Sequence, residues 1–163
     1  MTLVTASTIT AADEAHLERA VALAWQARER GDHPFGALLV TPDGAVLEAR
    51  NSVVTGADPT GHAETNLVRL AGRLGRAALA GSTLYTSTEP CAMCAGAIYW
   101  SGIGRMVFAL SEAELGEMVA EEEGVPPLRL PSREVFARGG RPIVVDGPVA
   151  LLAARAVHDG FWA

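Results

Sequence analysis

Apolar residues recur at helical spacing across residues 10–30, where Leu17, Ala20, Val21, Ala24 and Trp25 fall on one side of a 3.6-residue repeat. Thr10 suits the cap of this helix, Asp13 and Glu14 lie in its first turn, and Gly31 provides a stop. The pattern then changes. Two short apolar segments, residues 35–41 and 45–50, flank Pro42-Asp43-Gly44 and predict a β-hairpin. Residues 55–61 carry Gly56, Asp58, Pro59 and Gly61 and read as a loop. A second helix is expected from near His62 to about Leu74, then a strand over 82–88 ended by Glu89-Pro90. A helix over 91–100 and a buried strand over 105–110 come next. Residues 111–123 hold six acids and no base, the mark of a solvated helix and then a loop. Pro126, Pro127 and Pro131 are expected to break regular structure, before a last strand at 143–146 and a last helix at 149–158. Alternating α and β elements of this kind favour a sheet covered by helices on both faces.

Composition narrows the function. The chain has 163 residues, 49% of them hydrophobic, which fits a single globular domain with a proper core. All 13 basic residues are arginine, so an amine nucleophile for Schiff-base chemistry and the lysine of a Walker-type phosphate loop are both missing. A net charge of −6 argues against a protein built to bind phosphate backbones, which requires clustered positive charge. The first ten residues have neither the basic residue nor the apolar core of a signal peptide, and no apolar run approaches the ~20 residues of a membrane span. A cytoplasmic protein is expected. Its two cysteines, too few for a disulfide framework, suit a metal or redox site.

Two short segments carry the chemistry. One is His62-Ala63-Glu64; the other, Pro90-Cys91-Ala92-Met93-Cys94, begins 28 residues further on. The cysteine pair alone would equally fit a thioredoxin-like redox motif or plain packing. With His62 the set becomes one imidazole and two thiolates, three ligands for zinc with a fourth position open for water. Zinc brings the pKa of such a water toward ~7. Three-residue spacing puts both sulfurs on one side of a helical turn, and the helix N-terminus favours thiolates. Glu64 would stand near that water without being a ligand, able to take its proton and deliver it to a ring nitrogen and a departing amine.

These residues match the zinc deaminase signature. The sequence resembles the cytidine-deaminase-like superfamily, and within it the bacterial guanine deaminase and tRNA adenosine deaminase branch. The similarity covers roughly residues 21–110 and includes Pro34-Phe35-Gly36-Ala37, Asn51, Asp58-Pro59-Thr60 and residues 84–100. The resemblance implies a three-layer α-β-α sandwich with a five-stranded mixed sheet, one zinc per chain on His62, Cys91 and Cys94, Glu64 as proton shuttle, and a homodimer. It implies that Asn51 hydrogen-bonds the substrate ring, and that the backbone at Ala63 and the carbonyl near Glu89 hold the nucleophile side and the leaving amine. Gly61 replaces an alanine common in relatives, Thr88 departs from the guanine deaminases, and so does the segment after Leu110.

Other readings stand beside these. The alternative for Asn51 is to cap the turn after it. His16, His33 and His158 are expected on the surface or in packing. Phe35, Trp100, Phe161 and Trp162 are candidates to stack on a flat base, with core packing the alternative for Phe35 and Trp100. An apolar Phe161-Trp162 end suggests a segment docked over a pocket mouth, its own or a partner subunit's. The acids Glu112, Glu114, Glu117, Glu121, Glu122 and Glu123 are expected on a solvated face, unless one reads the donor edge of a base. The expected activity is hydrolytic deamination of a free nucleobase. Guanine is favoured, because Ala97-Ile98-Tyr99-Trp100 resembles the guanine deaminase branch; cytosine, aminotriazines and nucleosides are alternatives. Editing of tRNA adenosine is disfavoured by the charge, and a non-catalytic zinc module by the absence of a fourth protein ligand.

Overall fold

The computed structural model describes residues 9–119 and 126–162. Helix α1, Ala11–Glu29, starts at Thr10 with a reciprocal cap: Thr10 Oγ1 accepts from Asp13 N at 3.1 Å, and the Asp13 carboxylate accepts from Thr10 N at 2.9 Å. Gly31, at φ +94°, lets the chain turn away from it. Strands β1, Gly36–Val40, and β2, Val46–Arg50, form the expected hairpin, closed by Gly44 N donating to Thr41 O. The loop leaving β2 leads to His62, the cap residue of α2, Ala63–Ala71. Strand β3, Thr83–Thr88, leads to Cys91, the cap residue of α4, Ala92–Ser101. Strand β4, Arg105–Leu110, helix α5, Glu112–Val119, and strand β5, Val144–Asp146, complete the main pattern.

Four local expectations change. The second helix becomes a 3-10 turn at Gly72–Leu74, and α3, Arg76–Ala80, begins after Gly75 reverses the chain at φ +83°. Residues 126–131 form no helix or strand, as expected, but Pro131 also opens a helix that was not expected: its fixed φ, −58° here, suits the start of α6, Ser132–Ala137. The last helix, α7, covers only Leu152–Ala156, because the preceding segment runs extended beside β4, with Val149 N bonded to Phe108 O. Trp25 leaves the apolar side of α1 and is exposed, with the Arg28 guanidinium 5.3 Å from its ring centre. Glu121, Glu122 and Glu123 lie outside the described residues.

The sheet runs β2-β1-β3-β4-β5. β1 is antiparallel to β2 and β3, while β3, β4 and β5 are parallel, so the sheet is mixed. One face packs Leu17, Ala20, Val21 and Ala24 of α1 and Ala154 of α7 against Leu38, Tyr85 and Val107. The other packs Ala63 and Leu67 of α2, Ala95 and Ile98 of α4 and Phe136 of α6 against Leu39, Leu84, Met106 and Phe108. The three layers are those of the expected α-β-α sandwich. Gly36 lets α1 lie directly on β1, since a Cβ there would stand 2.4 Å from Ala20 O. Because β1 and β3 are antiparallel, the start of one meets the end of the other, and α2 and α4 both begin at that same end of the sheet.

Candidate metal centre and active site

His62 and Cys91 each occupy the cap position of a helix, and Cys94 lies one turn into α4. His62 Nδ1 is 3.6 Å from each cysteine sulfur, and the three donor atoms all lie within 4.8 Å of one another. Around a tetrahedral zinc, bonds of about 2.0–2.1 Å to nitrogen and about 2.3 Å to sulfur separate N and S by roughly 3.6 Å. The donors fit that ion in spacing and in kind. Their electrostatics fit it too. Both cysteines are free, and a hydrogen bond from the Cys94 thiol to the Cys91 sulfur holds Cys91 well below the usual thiol range, whereas that hydrogen bond and burial push Cys94 far up. Two adjacent thiolates need a cation between them, and a zinc dication supplies it. Thr65 Oγ1 lies 3.2 Å from the Cys94 sulfur and steadies it from the side of α2.

Glu64 is buried two residues after His62, on the first turn of α2. Burial, and after it the charge of Cys91, raises its carboxyl above the usual carboxylate range. Among the described residues Thr86 Oγ1 is its one side-chain partner, 2.9 Å from Glu64 Oε1, and stands equally 2.9 Å from the Thr88 carbonyl oxygen. One hydroxyl proton serves one acceptor at a time. With Glu64 protonated, Thr86 accepts from it and donates to Thr88; with Glu64 ionised, Thr86 donates to it instead. The hydroxyl can adapt to either protonation state of the acid.

Asn51, at the start of the loop from β2, is buried at the same end of the sheet. Its Oδ1 accepts from Val53 N at 3.0 Å, so the turn-capping reading holds for the oxygen. Nδ2 makes no hydrogen bond among the described residues. Ala63 is fully buried as the first residue of α2, where helix N–H groups lack intrahelical acceptors. Glu89 is buried with its side chain fully used: Oε1 accepts from Glu112 N at 3.1 Å, and Oε2 from Ser132 N at 3.0 Å and Ser132 Oγ at 2.6 Å. This carboxylate ties the end of β3 to the starts of α5 and α6. Gly61 is held close, since a Cβ there would lie 2.9 Å from Ser52 Oγ, which gives this departure a steric reason.

The aromatic candidates divide. Phe35 is 5.3 Å, centre to centre, from His158 and 6.1 Å from Trp162. His158 is buried, stacks on Trp162 at 16° and accepts from Trp162 Nε1 at 3.1 Å; its Nε2 is 3.4 Å from Thr88 Oγ1. Phe161 and Trp162 also pack on His33, so these two residues are docked, close to Thr88 and Phe35. Trp100 is elsewhere. It is 83% exposed, touches the edge of the Tyr99 ring, and lies about 13 Å along α4 from Cys91, so in one protomer it forms neither core nor pocket wall. The solvated-face expectation also fails for Glu112, which is half-buried and pushed up to about 7 by burial and by the charges of Cys91, Glu89 and Glu64. A cleft of about 530 Å³ lined by Gln26, Arg30, Arg50, Asn66 and Leu70 opens along β2, and none of the three metal donors lines it.

Thr86, Thr65, Ser132, Arg30 and Asp32 had no signal in the sequence. Each acts through a contact made only on folding.

A three-layer mixed-sheet fold with His and two Cys at two convergent helix starts, beside a buried glutamate, defines a zinc hydrolase site. The sequence model of the cytidine and deoxycytidylate deaminase zinc-binding region matches residues 10–110, and the chain belongs to that family. It is a zinc-dependent deaminase, a hydrolase of C–N bonds in cyclic amidines. A probable cytosine deaminase of Schizosaccharomyces pombe is 45% identical over 151 residues, covering 92% of each chain. The guanine deaminase of Bacillus subtilis is 42% identical over 106 residues, 64% of this chain and 68% of that one. Among solved structures, the guanine deaminase from Nitrosomonas europaea superposes with a TM-score of 0.71 at 28% identity, covering 94% of this chain and 86% of that one. No described helix is long and apolar enough to cross a membrane.

Proposed function

We propose that the chain, acting as one domain, deaminates a free nucleobase, with cytosine ahead of guanine. The observation that carries the reading is the reach of the similarity to the probable cytosine deaminase, 92% of both chains against 64% of this chain for the guanine deaminase. Its 151 residues run past β4, and at 45% the identity exceeds both the 42% of the Bacillus subtilis guanine deaminase and the 28% of the Nitrosomonas europaea one. Bound zinc supplies the Lewis acid that makes water nucleophilic near neutral pH. Glu64 would carry the first proton of the attacking water to the ring nitrogen beside the amino-bearing carbon, and the second, from the hydroxyl then on that carbon, to the amine, which leaves as ammonia as the C–N bond breaks and the carbonyl forms. Asn51 Nδ2 donates to the base, the Ala63 N–H and the Glu89 carbonyl hold the reacting groups, and Phe35, Phe161 and Trp162 wall the ring. Guanine is the second reading, favoured by the half-buried Glu112, an acceptor suited to a purine's N–H edge. The assembly is read as a homodimer, with exposed Trp100 and Met93 of α4 giving apolar surface to the contact.

Ammonia release from cytosine, guanine, ammeline, nucleosides and tRNA tests this. Cytosine is expected to give the highest kcat/KM. A higher value for guanine reverses the order, and turnover confined to nucleosides or tRNA overturns the free-base reading.

A further inference from the structure

Asn51 is gripped on three sides. Its N–H donates to Phe35 O at 3.0 Å, its carbonyl accepts from Arg30 Nη2 at 2.7 Å, and its side-chain oxygen accepts from Val53 N. Arg30, the residue that closes α1, also donates through Nε to Asp32 at 2.6 Å. The Asp32 carboxylate is fully buried and takes three further bonds from the loop after β2: Val54 N at 3.0 Å, Thr55 N at 2.9 Å and Thr55 Oγ1 at 2.8 Å. Burial alone would raise this carboxyl, but the Thr55 and Arg30 donors outweigh it and hold it below its usual range. That loop closes on itself through Ser52 N donating to Gly61 O, and His62 is the next residue. One loop therefore begins at Asn51 and ends at a metal donor, and Arg30 and Asp32 hold it to α1.

Asp32 is the buried end of this pair and Arg30 the partly exposed end, and desolvation of the carboxylate offsets much of their attraction. Arg30 is 37% exposed, so its removal does not open the core. We propose that Arg30 and Asp32 are positioning residues that fix the backbone of Asn51, and through it the direction of Nδ2, so that the base meets a preset donor. This rests on the free-base reading given above. Arg30 touches no substrate; its effect passes through Asn51.

The zinc-loaded enzyme tests it with Arg30→Ala, Arg30→Lys, Asn51→Ala and the double variant Arg30→Ala/Asn51→Ala. Arg30→Ala is expected to raise KM about tenfold while kcat stays within about twofold and zinc stays at one per chain, the pattern of lost ground-state binding. In the Asn51→Ala background the same change is expected to move KM less than about twofold, since the route is already cut. Arg30→Lys, which reaches one acceptor but not two in the fork geometry, recovers part of the loss. The Asn51 side-chain amide resonances in an NMR spectrum report the positioning without substrate: sharp in the parent, broadened or shifted in Arg30→Ala. Unchanged KM with unchanged amide resonances overturns the clamp, as does an equal KM change in both backgrounds. A parent enzyme that turns over no base overturns the free-base reading instead, and the amide resonances then still decide the clamp.

Discussion

Two buried carboxylates on opposite faces of the sheet show how neighbours turn the same chemical group to different uses. Asp13, on α1, accepts from Tyr85 Oη at 2.6 Å, from both terminal nitrogens of Arg105 at 3.0 and 3.1 Å, and from Thr10 N. Burial opposes its charge, but the Arg105 and Tyr85 donors prevail and hold the carboxyl far below its usual range, while burial and Asp13 push Tyr85 up to about 12. Among the described residues Glu64 has one side-chain hydroxyl and its own backbone N–H, and burial prevails. An acid whose donors are complete stays charged at any ordinary pH and serves as a strut. An acid left one partner short can hold a proton and give it up.

The sharpest way to break this comparison is to remove each acid and read both activity and stability. Glu64→Ala is expected to lower kcat by at least about a thousandfold while zinc stays near one per chain and Tm stays within a few degrees. Ammonia release, metal analysis and a melting curve on one sample decide it, and an active variant would remove Glu64 from the proton path. Asp13→Asn should do the reverse. It leaves Arg105 under-paired and puts an amide N–H where a carboxylate accepted, at a cost of about 3 kcal/mol, or roughly 6–12 °C in Tm, with kcat unchanged. Equal melting curves for parent and variant would show the strut to be dispensable.

The smallest effect comes from a third buried titratable group. Burial, helped by the charge of Arg28 and opposed by that of Asp159, holds His158 down at about 4, against an ordinary value of 6.5. The unfolded chain therefore takes up this proton first as pH falls, and stability is intact above about 6.5 and drains away down to about 4. At pH 5 the loss is about 2 kcal/mol, as the shift implies. His158→Gln, which keeps an acceptor for Trp162, should flatten that part of the profile. Urea unfolding of parent and variant at pH 7 and pH 5 measures the difference, and parallel profiles would assign the acid sensitivity elsewhere.

The signals that could be read before folding were local ones. His62, Glu64, Cys91 and Cys94 are chemically unusual at a characteristic spacing, and the helices and strands around them obey their own apolar periodicity. Thr10 with Asp13 marks a helix start within four residues. The features that escaped were set by distance along the chain. Glu89 seemed to matter for its carbonyl, yet its side chain joins segments 23 and 43 residues away, which no pattern displays. Trp100 shares a helix with the metal cysteines, and proximity in sequence suggested proximity in space; two and a half turns of helix carried it off. Glu112 sits among acids that look uniformly solvated, and only the docking of α5 beside Glu89 distinguishes it. Pro131 has one fixed φ that either ends or begins a helix, and here Ser132 and its successors take up the helix.

The helix starts differ in a further way. Thr10 makes a complete cap for α1, whereas neither His62 nor Cys91 gives its helix a side-chain cap bond. Serine, threonine, asparagine or aspartate at such a position is worth about 1 kcal/mol over a residue that cannot cap. Selection for robustness alone would therefore write different letters at 62 and 91. Two of the best places in this fold to add thermal margin are thus closed to an engineer who wants to keep the enzyme, and stabilising changes must be sought at helix starts that hold no metal.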